Sequence, residues 1–156
     1  MPVVLNILPN VFWVYKPPGN SLPLPEFKIQ VRKQMEYYHI KTLIELDDKL
    51  STFWGKSGQY INDIRSQIEK DEFAKLLAIL KKLNEIVKNG YLGNSPIMIT
   101  TYKPEYLEIG LAVWIYFFHI NAGLSFDGVI KMLGYKVIGN LELSDTIKKF
   151  LALLNI

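Results

Sequence analysis

Hydrophobic positions recur along most of the chain with the spacing of a helix. Between residues 27 and 53, and again between residues 73 and 87, apolar side chains follow one another at steps of three and four. Residues 125–133 show the same spacing over a shorter length. Residues 109–120 are apolar almost throughout, which predicts a helix buried on all sides. The pattern therefore predicts a mainly helical protein.

Capping and turn residues indicate where these helices begin and end. Pro25 suits the first turn of a helix that continues to about residue 53, as one helix or two in line. Asp71 can cap the next long helix, which we expect to stop at Asn89 and Gly90. Pro104 begins the apolar helix, and Ser144 can cap a last helix that reaches the C-terminus.

Two segments have the composition of β-strands. Residues 3–15 are rich in β-branched and aromatic side chains and contain a Pro9-Asn10 turn, so they predict two short strands. Residues 97–101 predict a third strand, whereas the prolines in residues 16–25 predict an extended arm or loop. We therefore expect one domain over residues 1–156, of mainly α (α+β) class. It would be a helical bundle with a small β element from the N-terminal segment and residues 97–101.

Composition removes several kinds of chemistry. The chain has no cysteine, which removes disulfides, thiolate nucleophiles and sulfur-ligated zinc, and its only histidines are His39 and His119. The formal net charge is +3, and lysine supplies nearly all of the positive charge. Lysine suits phosphate contact better than base recognition. The N-terminus lacks the pattern of a signal peptide, and the apolar stretch is shorter than a membrane span, so we expect a cytoplasmic protein with no membrane partner.

The most specific motif is the run Gly-Leu-Ser-Phe-Asp-Gly-Val-Ile-Lys-Met-Leu-Gly-Tyr at residues 123–135. It resembles the first helix and turn of a helix-turn-helix, as in sigma-factor and transposase DNA-binding domains. The resemblance implies a second helix in the major groove of DNA. It also implies phosphate or groove contacts from a set of polar residues, namely Lys131, Lys136, Asn140, Lys148 and Lys149. Residues 137–140 depart from the pattern because they begin a helix poorly, and a hairpin of packed helices is the alternative.

A second basic cluster, Lys28, Arg32 and Lys33, lies close to Tyr37 and Tyr38 in the sequence. It could grip a nucleic-acid backbone and stack a base, or the tyrosines could simply pack. The bias to Lys, Ile, Leu and Tyr without cysteine is similar to small proteins of thermophilic archaea and their viruses. The leading hypothesis is therefore a small DNA-binding protein, in the host cytoplasm if viral, that contacts nucleic acid through lysine-rich helices.

The first alternative is a nuclease that depends on a divalent metal. Glu45, Asp47 and Asp48, together with Glu85, could hold Mg²⁺ or Mn²⁺, with Glu85, Glu45 and Asp48 as catalytic residues. A solvated acidic helix face is the simpler interpretation of these carboxylates. Outside this hypothesis we expect no cofactor.

The second alternative is a structural protein, such as a virion or assembly subunit, that forms a homo-oligomer. Its proline-rich arm at residues 16–25 would lie across a neighbouring subunit, anchored by Phe12, Trp13 and Tyr15. The opposing interpretation is that these aromatic residues form strands packed on the protein's own core.

Overall fold

The computed structural model describes residues 2–17, 19–46, 73–93 and 95–133, and residues 148, 151, 152 and 154 near the C-terminus. These residues form an α+β fold, in which a four-stranded mixed sheet lies between helices on its two faces. The α+β class is as predicted. The expected helical bundle is wrong as an arrangement, because the sheet separates the helices.

The N-terminal segment forms the two predicted strands. Strand β1 (Val3–Leu8) pairs antiparallel with β2 (Val11–Tyr15), and the turn between them places Asn10 at φ 68°. Asparagine tolerates this left-handed conformation better than most residues. All five residues of β2 are buried, as expected of a strand covered on both faces.

Helix α1 (Leu24–Tyr37) is much shorter than predicted, because a strand follows where the sequence suggested further helix. The chain leaves the helix through Tyr38 and through His39, whose φ of 54° breaks the helical path. Strand β3 (Thr42–Glu45) comes next. Its β-branched Thr42 and Ile44 fit a pleated sheet, and pairing with a neighbouring strand outweighs a spacing that also fits a helix.

The second half of the described chain agrees closely with the sequence. Helix α2 (Phe73–Leu92) is followed by β4 (Ile97–Thr101), α3 (Pro104–Ala122) and α4 (Phe126–Leu133). Gly123 ends α3 at φ 68°, and the Ser125 hydroxyl accepts a hydrogen bond from the Gly128 amide at the start of α4. Helix α2 passes through the predicted stop at Gly90. The predicted cap residues Asp71 and Ser144 lie outside the described residues.

The strand order is β1-β2-β4-β3, and β2, β4 and β3 are mutually parallel. The connection from β2 through α1 crosses over β4 to reach β3, and the connection through α2 returns from β3 to β4. Right-handed crossovers in opposite directions place their helices on opposite faces of a sheet. The packing agrees, since α1 packs on Phe12, Val14 and Met98, whereas α2 and α3 pack on the other face, against Trp13 and Ile99.

Helix α3 is the central helix of the layer that also contains α2 and α4. Its residues 111–118 are all buried, as its continuous hydrophobicity predicted. No single helix in the described part of the chain is long and apolar enough to cross a membrane. The segments Gly110–Ala122 and Phe126–Leu133, bent by 114°, meet that length and composition only as a pair.

The described residues of the proline-rich segment before α1 have no regular structure, as predicted, although α1 begins at Leu24, one residue before the predicted end of the segment at residue 25. The segment packs on the rest of the same chain. The Lys16 amide donates to the Thr101 carbonyl, and the Tyr102 hydroxyl donates to the Leu22 carbonyl. Phe12, Trp13 and Tyr15 are buried in the core. They are therefore not available as an anchor for a neighbouring subunit, and the interpretation that they pack on their own core is the correct one.

Candidate functional site

The carboxyl ends of three parallel strands meet at one edge of the sheet. Lys16 follows β2, Tyr102 and Lys103 follow β4, and Glu45 is the last residue of β3. After β2 the chain enters α1 on one face, whereas after β4 it enters α3 on the other. Such a divergence between neighbouring strands opens a crevice, and ligands of open α/β sheets bind there. The topology thus places the polar strand ends where a binding site is expected.

A cleft of about 570 Å³ lies between α1 and this edge of the sheet. Its size falls within the range of roughly 300–1,000 Å³ that small-molecule sites occupy. We refer to it as the α1 cleft. Its lining residues come from α1 and from the ends of β3 and β4: Leu24, Phe27, Lys28, Val31, Arg32, Met35, Leu43, Glu45, Thr100, Tyr102 and Lys103.

The charged side chains of the α1 cleft are predominantly cationic. Lys28 and Arg32 are exposed and lie one helical turn apart on α1, and Lys103 lines the cleft from the end of β4, whereas Glu45 is the one carboxylate among the lining residues. Within the described part of the chain, no hydrogen bond or ion pair joins the side chain of Lys28, Arg32 or Glu45 to another residue. Unpaired cations such as Lys28 and Arg32 around a concave surface raise the positive potential there and favour an anionic ligand.

Tyr102 holds one wall of the α1 cleft in place. Its hydroxyl donates to the Leu22 carbonyl at 2.8 Å, and its ring packs against Phe27 at a centroid distance of 5.1 Å. The Lys16 ammonium lies 4.4 Å from the same ring centroid, in a cation–π contact. These contacts tie the loop before α1 to the end of β4, so this wall is fixed before any ligand arrives.

The last two residues of β4 point to opposite faces of the sheet, as alternation in a strand requires. Thr100 lines the α1 cleft, whereas the Thr101 hydroxyl accepts a hydrogen bond of 3.0 Å from Nε1 of the buried Trp13. Burial in the same core raises the pKa of the Tyr15 hydroxyl to about 12. Thr101 and Tyr15 therefore belong to the core, and Thr100 belongs to the α1 cleft.

The structure brings together only part of the predicted nucleic-acid surface. Lys28 and Arg32 line the α1 cleft, whereas Lys33 is exposed on α1 outside the lining. Lys131 is exposed on α4, which packs in the helix layer on the opposite face of the sheet. Lys148 is exposed as well. The remaining three residues of the helix-turn-helix prediction lie outside the described residues: Lys136, Asn140 and Lys149.

The carboxylates of the nuclease hypothesis are not assembled in the described residues. Glu45 lines the α1 cleft, whereas Glu85 is exposed on α2, on the other face of the sheet. Asp47 and Asp48 lie outside the described residues. Within the described ranges, no group of three histidine, aspartate or glutamate side chains could hold a metal ion.

The two histidines have separate positions in the described structure. His39 is exposed in the turn after α1, while Nδ1 of His119 lies 3.2 Å from the Leu124 carbonyl at the end of α3. The tyrosines of the basic cluster also differ, since Tyr38 stacks on Phe12 with ring centroids 4.2 Å apart, whereas Tyr37 is exposed. Tyr38 therefore packs, as one of the two interpretations proposed.

Sequence reasoning missed Tyr102 and Lys103 as members of the site. The sequence did contain a clue to their position, because both directly follow the strand predicted at residues 97–101. It could not be used without knowing that two other strands end at the same edge of the sheet. Comparison of the chain with protein-family models, curated proteins and solved structures found no match, so the chemistry of the α1 cleft alone indicates function.

Proposed function

We propose that this protein binds nucleic acid and holds the sugar–phosphate backbone of a strand at the α1 cleft, on Lys28, Arg32 and Lys103. The observation that carries the proposal is the cationic rim of the cleft: Lys28 and Arg32 have no ion-pair partner in the described part of the chain. Phosphate is a natural counterion for such a pair, because it carries a full charge and several acceptor oxygens.

The composition of the chain supports the same ligand class. Lysines outnumber arginines by far, which suits contact with phosphates more than recognition of bases. A ligand that carries several phosphates also gains from basic side chains around the cleft, such as Lys33 and the Lys16 ammonium. The cleft volume fits one nucleotide unit rather than a duplex, so a single strand is the form that we expect to enter.

The test is a titration of fluorescein-labelled single-stranded and duplex DNA with the full-length protein, followed by anisotropy at several salt concentrations. Backbone contact releases counterions, and each neutralised phosphate of a single strand contributes about 0.7 to the slope of log K against log salt. The double substitution Lys28→Glu and Arg32→Glu should lower the affinity at least about tenfold and reduce that slope by about 1.4.

The chain offers a matched control. Lys81 and Lys88 are exposed on α2, away from the α1 cleft, and their replacement by glutamate changes the net charge by the same amount as the test pair does. This control should weaken binding only slightly. Equal losses in the two double variants would contradict a site at the cleft.

A second control addresses the helix-turn-helix prediction. Replacing Lys131, Lys148 and Lys149 by glutamate removes the charges that this motif would use. If that variant loses binding while the Lys28/Arg32 variant keeps it, the nucleic-acid surface lies at the C-terminal helices instead. Absence of binding to every DNA form at low salt would overturn the proposed function as a whole.

A further inference from the structure

The α1 cleft contains a carboxylate that phosphate binding does not use. Glu45 ends β3 and faces α1, on the same side of the sheet as Leu43. It is half-buried, and within the described residues no donor satisfies it. An acidic group in a site for a polyanion repels phosphate, so it favours a ligand group that donates hydrogen bonds.

The surroundings of Glu45 suit a flat, largely apolar group. Phe27, Val31, Met35 and Leu43 form an apolar floor, while the lysine and arginine side chains stand around it. A nucleobase matches this combination, because its faces pack on apolar side chains and its edges carry donors and acceptors. The phosphates on either side of that nucleotide would remain at the cationic rim.

The chemistry of the carboxylate selects among the bases. An ionised carboxylate offers two acceptor oxygens and no donor. Guanine presents two adjacent donors, N1–H and the 2-amino group, on its Watson–Crick edge. Adenine and cytosine present one amino group beside a ring acceptor, and uracil or thymine presents one donor between two carbonyls. A bidentate contact with Glu45 is therefore open to guanine alone.

We propose that the α1 cleft is a nucleobase subsite in which Glu45 selects guanine. This inference rests on the proposed function and names the base that the bound strand inserts. A bidentate contact of this kind changes affinity by about tenfold or more between matching and non-matching bases. Glu45 thereby acts as a specificity-determining residue, whereas the cations bind the backbone of a strand whatever its bases are.

The test is competition between mononucleotides and a labelled single strand bound to the full-length protein. Guanosine 5′-monophosphate should displace the strand about tenfold better than inosine 5′-monophosphate, which differs only by lacking the 2-amino group. Adenosine, cytidine and uridine monophosphates should resemble the inosine compound. Because all five ligands carry the same phosphate, the comparison isolates the base.

Glu45→Gln should equalise the guanosine and inosine ligands, since an amide offers only one acceptor. Glu26→Gln is the matched control, because Glu26 is exposed in the first turn of α1 outside the cleft lining and loses the same charge. It should keep the preference. Equal competition by all bases, no displacement by any of them, or a preference that survives Glu45→Gln would overturn the inference. Salt-dependent binding of the strand would still leave the proposed function standing.

Discussion

A close approach between helix α3 and the sheet predicts a large effect of one added methyl group. Gly110 lies in α3 where the helix meets the sheet, and a Cβ atom at this position would lie 2.9 Å from Cζ2 and 3.2 Å from Cε2 of Trp13. Cγ2 of Thr101 would be 3.1 Å away. Trp13 is fully buried, and its Nε1 is bonded to Thr101, so the indole cannot move aside without breaking that bond.

Two opposing terms set the size of the effect of Gly110→Ala. Alanine is favoured over glycine in a helix by about 1 kcal/mol. Overpacking of a well-packed core costs about 1–3 kcal/mol, and the rigid indole places this site at the upper end. We therefore expect the free energy of unfolding to fall by about 2 kcal/mol.

The opposite sign is expected at Gly128 in α4, where the nearest atom to an added Cβ is the Ser125 hydroxyl at 3.4 Å. Gly128→Ala should raise the free energy of unfolding by about 0.5 kcal/mol. Urea denaturation measures both changes as shifts of the midpoint at constant slope. If Gly110→Ala proved as stable as Gly128→Ala, the described contact of α3 with Trp13 would be refuted.

Three further predictions concern the same core. Thr101→Val should lower the free energy of unfolding by about 1–3 kcal/mol in urea denaturation, because it leaves the buried Nε1 of Trp13 without an acceptor. Burial raises the pKa of Tyr15 from 10.0 to about 12, so the stability that its buried hydroxyl contributes is fully present below pH 10 and is lost as the pH rises toward 12. Spectrophotometric titration should find a tyrosine that ionises near pH 12, and Tyr15→Phe should remove that step, whereas Tyr116, whose pKa is also raised by burial, should ionise as before. Deletion of residues 1–23 removes β1 and the fully buried β2, so circular dichroism should show an unfolded product rather than a folded monomer.

Local signals explain which elements could be predicted from the sequence. Helix α3 begins at Pro104 and ends at Gly123, and α4 begins after Ser125, so capping residues alone fixed their bounds. The hairpin followed from its Pro9-Asn10 turn. Strand β3 was missed because four residues after a helix carry too short a pattern, and their strand conformation depends on pairing with β4.

The candidate site was predictable only in fragments, because its residues meet through the order of the strands. Lys28 and Arg32 stood out as a basic cluster, and Glu45 was noted for metal binding, but nothing local linked them. Their meeting requires β3 to lie beside β4 and α1 to cross that face of the sheet. Glu85 was joined to Glu45 for lack of that information, although Glu45 of β3 lies on the α1 face of the sheet and Glu85 lies on α2, which packs on the other face.

The position of the α1 cleft follows from how unevenly the two faces of the sheet are covered. Two long helices, α2 and α3, cover one face, whereas α1 is the described helix that packs on the other. On the α1 face β2 and β4 are apolar at Phe12, Val14 and Met98, whereas β4 and β3 are polar near their carboxyl ends, at Thr100 and Glu45. Alternation would place two more apolar residues there if the face were closed. Polar residues at the same end of two adjacent strands, next to Lys28 and Arg32, therefore support the proposal that the α1 cleft binds a ligand.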